Sequence, residues 1–185
     1  TLMKISEALA EVNVTRFAQF YEKNQQGMYA IHAFEGEAYK GLDSLSLNQE
    51  ALEFSKESLR ILSGLYGVLK PFDVMNPYRL EMGLSWSGEH GKDLYQYWKE
   101  DLTVHFLNEL SETKGDQVLL NLASKEYSKA LNLKQIEKTY PVITIEFKEQ
   151  KGEAFKVVGM YAKRARGQMA RYILNHQIHE VEQVK

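Results

Sequence analysis

The sequence predicts a mixed α+β protein, α/β in the broad sense, folded as one compact domain over residues 1–185. Three observations predict it. Apolar residues recur at helical spacing in several segments, and β-branched runs of strand length stand between them. No Pro/Gly/Ser-rich stretch reads as a linker, and the chain holds only three prolines. A length of 185 residues with 44% hydrophobic and 11% aromatic content suffices for one sizeable core.

The elements follow in order. Leu2, Ile5 and Leu9 mark a first helix, and Phe17, Phe20 and Tyr21 a second after Asn13. "MYAIHAFEG" reads as a buried strand ended by Gly36. Asn48 caps a helix reaching about Leu62, with Leu52, Leu59 and Leu62 on one side. Gly64, Gly67, Pro71 and Pro77 punctuate an irregular stretch.

A long helix is expected from Lys92 to about Leu110, burying Tyr95, Trp98, Leu102, His105, Phe106 and Leu110. "QVLLNLA" is a short buried strand, after which Ser124 caps a further helix. "PVITIEF" and "AFKVVGMYAK" are strands on either side of a turn around Lys151-Gly152. The chain starts and stops inside helical patterns, "TLMKISEALAEV" and "HEVEQVK", so additional N- and C-terminal segments are expected.

Composition narrows the function classes. With no cysteine, disulfides, Cys-ligated zinc and thiol redox chemistry are excluded for this chain. No apolar run approaches a membrane span and nothing reads as a secretory signal, which points to a cytoplasmic protein without a membrane partner.

Charge is unevenly distributed. Residues 154–179 contain no Asp or Glu, yet hold Lys156, Lys163, Arg164, Arg166 and Arg171. The whole chain has 23 Lys+Arg against 25 Asp+Glu, so the remainder is clearly acidic. Such asymmetry points to a local anion-binding surface. If residues 164–176 are helical, Ala165, Met169, Tyr172, Ile173 and His176 form an apolar face. Arg164, Gln168, Arg171 and Asn175 then share another, with Tyr161 and Lys163 on one side of the preceding strand. A solvated face uses the same residue types; the lack of acids for local pairing favours phosphate binding.

"LSGLYGVLKP" is a second constellation. Gly64 and Gly67 between helical segments can turn backbone N–H groups toward phosphates, with Lys70 adding charge. A helix C-cap followed by a tight turn is the alternative.

The third group comprises Tyr78, Arg79 and Glu81, then Lys92 and Asp93, then Asn121, Ser124, Lys125, Glu126 and Tyr127. These suit either loop-stitching ion pairs and caps or a small-molecule site. His176 and His179 make an HxxH pair near Glu180 and Glu182, more in keeping with surface histidines than with a metal, so neither a metal nor another cofactor is expected.

The segments "LRILSGLYGVLKPFDVMNPYRLEMG", "GKDLYQYW", "LLNLASKEYSK" and "MYAKRARGQMARYI" together resemble the YaaA family of bacterial peroxide-stress proteins, in order and across nearly the whole chain. The resemblance implies the compact mixed "cantaloupe" fold with a positively charged cleft and a helix-hairpin-helix element. It also implies a DNA-binding role that includes non-duplex forms, protection of DNA from oxidative damage, and lowered free intracellular iron; whether the protein is an enzyme is left open, with a non-enzymatic role favoured.

Carried onto this chain, "SGLYG" would be the hairpin and "AKRARGQMAR" part of the positive surface. The family's Ser-Pro-Ala-Lys-like motif and its polar, acidic and aromatic tail are absent here. The expected DNA contacts are Gly64, Gly67, Lys70, Arg79, Lys163, Arg164, Arg166 and Arg171. The alternative is an enzyme or binding protein for a nucleotide or phosphate-bearing metabolite, using Tyr78, Arg79, Glu81, Lys92, Asn121, Tyr161 and Lys163. The sequence leaves the oligomeric state open.

Overall fold

The computed structural model describes residue 3 and residues 5–22, 27–88 and 91–184. Helix α1 (Glu7–Ala18) begins at Ser6, whose hydroxyl accepts the Leu9 amide. It runs unbroken through Asn13, so the expected boundary there is corrected. Asn13 Nδ2 donates to the Leu9 carbonyl at 2.7 Å, one turn back, which a helix accommodates. Phe17 ends this same helix and Phe20 lies just beyond it, while Leu2 lies outside the described residues.

"MYAIHAFEG" is not one strand. Only β1 (Met28–Tyr29) is extended, and a single turn, α2 (Ala30–Ala33), follows. The amides of Ala30 and Ile31 donate to the Asp73 and Pro71 carbonyls, and both residues are buried in that helical turn. Next come α3 (Glu37–Leu42), a 3₁₀ turn over Ser44–Ser46, and α4 (Gln49–Ser58).

Asn48 caps α4 by accepting the Ala51 amide at 2.8 Å. The helix stops at Ser58, short of Leu62. Arg60 Nη1 donates to the Lys56 and Leu59 carbonyls there, and the chain turns into β2 (Ile61–Ser63).

Strand β2 pairs antiparallel with β3 (Gly67–Leu69). "SGLYG" is therefore the turn of a β-hairpin with strands on both sides, where helices were expected. Strand β4 (Val74–Met75) pairs with β1, and β5 (Ser85–Gly88) with β6 (Gly91–Asp93). Asp93 caps α5 (Leu94–Glu112), which buries Leu102, Phe106 and Leu110 as the periodicity predicts, and Leu94 besides; Tyr95, Trp98 and His105, expected on the same stripe, are only half-buried.

Strand β7 (Leu119–Asn121) is followed by α6 (Lys125–Ser128), capped by Ser124, and α7 (Leu133–Ile136). Strand β8 (Val142–Thr144) lies parallel to β7. The expected turn at Lys151-Gly152 joins β9 (Glu149–Lys151) to β10 (Ala154–Lys156). Helix α8 starts at Gly159 and runs to Asn175, so Tyr161 and Lys163 are helical, and the expected strand stops at Lys156. A 3₁₀ turn over Val181–Val184 follows.

Two-residue and three-residue ladders cannot supply a continuous sheet, and the core instead lies among helices and loops. One cluster gathers α5 and α7 residues, Leu102, Phe106, Leu110 and Ile136 among them. Thr103 is fully buried and fastens these helices, accepting the Asn132 amide at 2.9 Å. A second cluster joins Ile31, Leu42, Leu47, Ala51 and Leu174, which seats α8 on α3 and α4.

Candidate nucleic-acid interface

The basic helix α8 is held by a glycine seam. A Cβ at Gly167 would fall 1.7 Å from the Ala38 carbonyl oxygen, and one at Gly41 would fall 2.2 Å from the Arg164 carbonyl oxygen. Helices α3 and α8 thus touch backbone to backbone, which requires glycine at both positions. The buried face of α8 is Ala162, Gly167 and Leu174. This corrects the expected apolar face: Tyr172 and His176 are exposed, while Ala165, Met169 and Ile173 are half-buried.

The outer face carries the charge. Lys163 and Arg164 are exposed, as are Gln168 and Asn175. Met160 and Tyr161 precede the two cations by one helical turn, and both are more than half exposed. Lys156 is exposed on β10 beside Phe155, which is 68% exposed. Exposed cations and rings are thus interspersed along the chain from β10 into α8, although Phe155 and Lys156, consecutive in a strand, project to opposite sides. Arg166 is half-buried, and its Nε is buried without a hydrogen-bond partner.

Helix α3 supplies acids that the local sequence lacks. Asp43, at its C-terminal end, lies 3.1 Å from Arg171 Nη1. Glu37 has its pKa lowered, first by the bond from Lys40 and also by the charge of Arg164. Lys70 lies 3.6 Å from Glu109, and Arg79 lies 2.8 Å from Glu81. Three of the expected phosphate-binding cations thus meet carboxylates.

Gly64 and Gly67 are buried, so their outward presentation to phosphates is corrected. Gly64 packs against the Leu80 carbonyl, and its own carbonyl accepts Trp98 Nε1 at 2.9 Å. Gly67 has φ +73° under the Trp98 ring.

The expected small-molecule residues are dispersed in role. Tyr78 is half-buried, its hydroxyl 2.5 Å from Ser63 Oγ and its ring against Tyr66 and Phe34. Asn121 is committed to structure, donating to Thr144 Oγ1 and accepting the Ala123 amide. The Lys92 amide donates to Gln96 Oε1 beside the cap of α5. Glu126 Oε1 accepts the Gly83 amide, closing a loop.

Sequence reading missed the phenol of Tyr39, which interacts with those of Tyr78 and Tyr127. Burial pushes Tyr127 up to about 12, and neighbouring Tyr78, Glu126 and Glu81 add to it. The histidine pair serves packing. His176 Nδ1 donates to the Tyr172 carbonyl at 2.8 Å, and the His179 ring meets Phe54. Among the described residues no three His, Cys, Asp or Glu side chains are grouped to hold a metal, and no helix is long and apolar enough to cross a membrane.

Fold and surface define a cysteine-free α+β protein whose cationic helix rides on a glycine seam. A family model described as "Peroxide stress protein YaaA" matches residues 1–185. A UPF0246 protein of Caulobacter vibrioides (strain NA1000 / CB15N) is 46% identical over 184 residues, covering 100% of this chain and 71% of that relative. UPF0246 proteins of Alteromonas mediterranea and Marinomonas sp. (strain MWYL1) are 45% and 44% identical over 187 residues, covering 100% of this chain and 71% and 70% of their own lengths. The chain belongs to the YaaA family of peroxide stress proteins.

Proposed function

We propose that this chain acts in peroxide defence by binding the DNA backbone, non-duplex forms included, through its β10–α8 face. The observation that supports it is exposed Tyr161 one helical turn before exposed Arg164 on α8, with exposed Lys163 between them and exposed Lys156 on β10 before the helix. Exposed rings stack on unpaired bases without reading sequence, and Lys or Arg neutralises the phosphates between them. A local site of this kind is compatible with an acidic chain, whereas coating of long duplexes is not.

Of the eight expected contacts, Lys163 and Arg164 carry this reading, while Arg166 is half-buried. Lys70, Arg79 and Arg171 spend charge on Glu109, Glu81 and Asp43. Three phosphate contacts by Lys156, Lys163 and Arg164 give a log-affinity against log-salt slope of about −2 on single strands. Fluorescence anisotropy with a labelled single-stranded oligonucleotide reads it. The K163A/R164A double variant flattens the slope, and Y161A weakens binding roughly tenfold. Unchanged affinity and slope in both would remove the face from consideration. Lowered free iron belongs to the same proposal as the resemblance implies it, and iron titration with an H176A control reads any direct binding.

The second reading is a binding protein or enzyme for a nucleotide or phosphate-bearing metabolite. The Tyr78–Ser63 hydroxyl pair favours it, with Tyr39 and Tyr127 close by. Thermal shift against a metabolite panel separates the two, because a ligand at a hundredfold its Kd adds about 2.7 kcal/mol.

A further inference from the structure

The inward side of α8 carries a cation that the strand-binding reading does not use. Arg166 lies four residues from Ala162 and from Ala170, on a stripe that faces the body of the protein. Ala162 is buried, and Ala170 packs against the cluster of Ile31, Leu42 and Leu174. Residues two apart on a helix stand on nearly opposite sides, so Arg166 is turned away from Arg164 and its outer row. Lys163 stands between the two, one turn before Arg166 and on its side. Helical side chains tilt toward the N-terminus, which brings the long Arg166 side chain back over the turn that carries Lys163.

Both cations lack an acid. Among the described residues no carboxylate forms an ion pair with Lys163 or Arg166, while the acids of α3 are engaged elsewhere, Asp43 by Arg171 and Glu37 by Lys40. Arg166 is also incompletely bonded. Its Nε is enclosed without a hydrogen-bond partner, and its Nη fork, which is not enclosed, bonds no described residue. An arginine that merely covered apolar surface with its stem would keep the whole guanidinium in water. Half-burying the group with a donor unpaired is unfavourable, and an anionic acceptor at the open Nη end offsets that cost.

We infer that Lys163 and Arg166 form a binding site for a phosphate monoester. The Nη fork of Arg166 donates to two oxygens of the terminal phosphate, and Lys163 Nζ donates to the third. Two permanent cations match the two charges that a monoester carries above its second pKa of about 6. A phosphodiester bears one charge, and its second ester link takes the place of the third oxygen. The site therefore selects strand ends and free esters over continuous nucleic-acid backbone. It does not rest on the strand-binding reading, with which it shares only Lys163.

Isothermal titration of the full chain with methyl phosphate and dimethyl phosphate, at matched ionic strength and about pH 8, tests this. Methyl phosphate should bind saturably and dimethyl phosphate about tenfold or more weakly, as for a lost hydrogen bond to a charged group. The methyl phosphate affinity should fall as pH drops through about 6. R166Q removes the charge and K163Q alters an exposed side chain; each should weaken methyl phosphate about tenfold or more, with circular dichroism verifying the fold. Two oligonucleotides of one sequence, one ending in a phosphate and one in a hydroxyl, identify the source by anisotropy. Tighter binding of the phosphorylated strand, abolished by R166Q, assigns the site to strand ends; equal binding assigns it to free esters. Binding of neither strand also assigns it to free esters and removes the strand-binding reading alone. The inference is overturned by methyl phosphate that does not bind saturably, binds no better than dimethyl phosphate, keeps its affinity in acid, or binds unchanged to R166Q and K163Q.

Discussion

Gly167 of α8 lies so close to Ala38 of α3 that a side chain on it would overlap the Ala38 carbonyl oxygen, 1.7 Å away, and crowd the Leu42 amide nitrogen at 2.6 Å. In an exposed helix, replacing glycine by alanine stabilises by roughly 0.5–1 kcal/mol. Here backbone is the obstacle and cannot rotate aside, so the sign reverses. G167A is expected to cost about 1–3 kcal/mol or more, read as a lower urea midpoint. G41A meets the Arg164 carbonyl and moves the same way, and the double variant costs less than the sum because one displacement of α8 relieves both.

The Asp43–Arg171 pair tests how far the basic helix is damped. Both side chains are substantially exposed, so the pair contributes only about 0–1 kcal/mol to stability. Asp43 has φ +46°, a left-handed conformation that asparagine tolerates better than alanine does. D43N therefore removes the charge while sparing the backbone. Under the nucleic-acid proposal it tightens oligonucleotide binding and steepens the salt slope by about 0.7, one phosphate contact on a single strand. Anisotropy over a salt series measures both quantities.

Periodic and capping signals were legible in the sequence because they depend on near neighbours. Asn48, Asp93 and Ser124 each accept the backbone amide three residues on. The stripe of α5 follows from helical spacing, and Lys151-Gly152 makes its turn locally. What stayed hidden is long-range. Nothing around Met28–Phe34 announces that Ala30 and Ile31 bond to carbonyls forty residues later. Gly64 and Gly67 read as accessible only until Trp98 and Leu80 arrive to cover them. The same holds for charge. Residues 154–179 lack acids in sequence, but α3 brings Glu37 and Asp43 across the glycine seam. Arg60, Lys70 and His105 carried no common motif, and Glu109 unites them only in the fold.

Glu109 makes an acid-stability prediction. Burial raises its pKa, but the Arg60 bond and the charges of Arg60, His105 and Lys70 outweigh this, and the net shift is downward. A depressed folded pKa contributes stability above the ordinary glutamate value of about 4.3, and that stability is lost as pH falls through the folded value. E109Q is expected to cost on the order of 1–3 kcal/mol near neutrality, since Arg60 loses its charged partner. The deficit should shrink below about pH 4, where the wild-type carboxylate protonates too. Urea midpoints of both proteins across the acid range record this convergence.

The tyrosines make the alkaline counterpart. Burial is the main cause raising Tyr39, Tyr78 and Tyr127, and Tyr78 adds to the shift of the other two. A phenol whose folded pKa exceeds the unfolded value of about 10 keeps its proton while the unfolded chain releases one. The associated stability is complete below about pH 10 and declines as pH climbs toward the folded values, about 12 for Tyr127. Phenolate absorbance from Tyr39, Tyr78 and Tyr127 should accordingly rise only late, as the fold opens at alkaline pH. Y78F removes the hydroxyl that pairs with Ser63 and should cost about 1 kcal/mol. That lost stability should bring alkaline unfolding, and with it the late rise, to lower pH; a late rise at the wild-type pH would mean that the Tyr78 hydroxyl contributes nothing to stability.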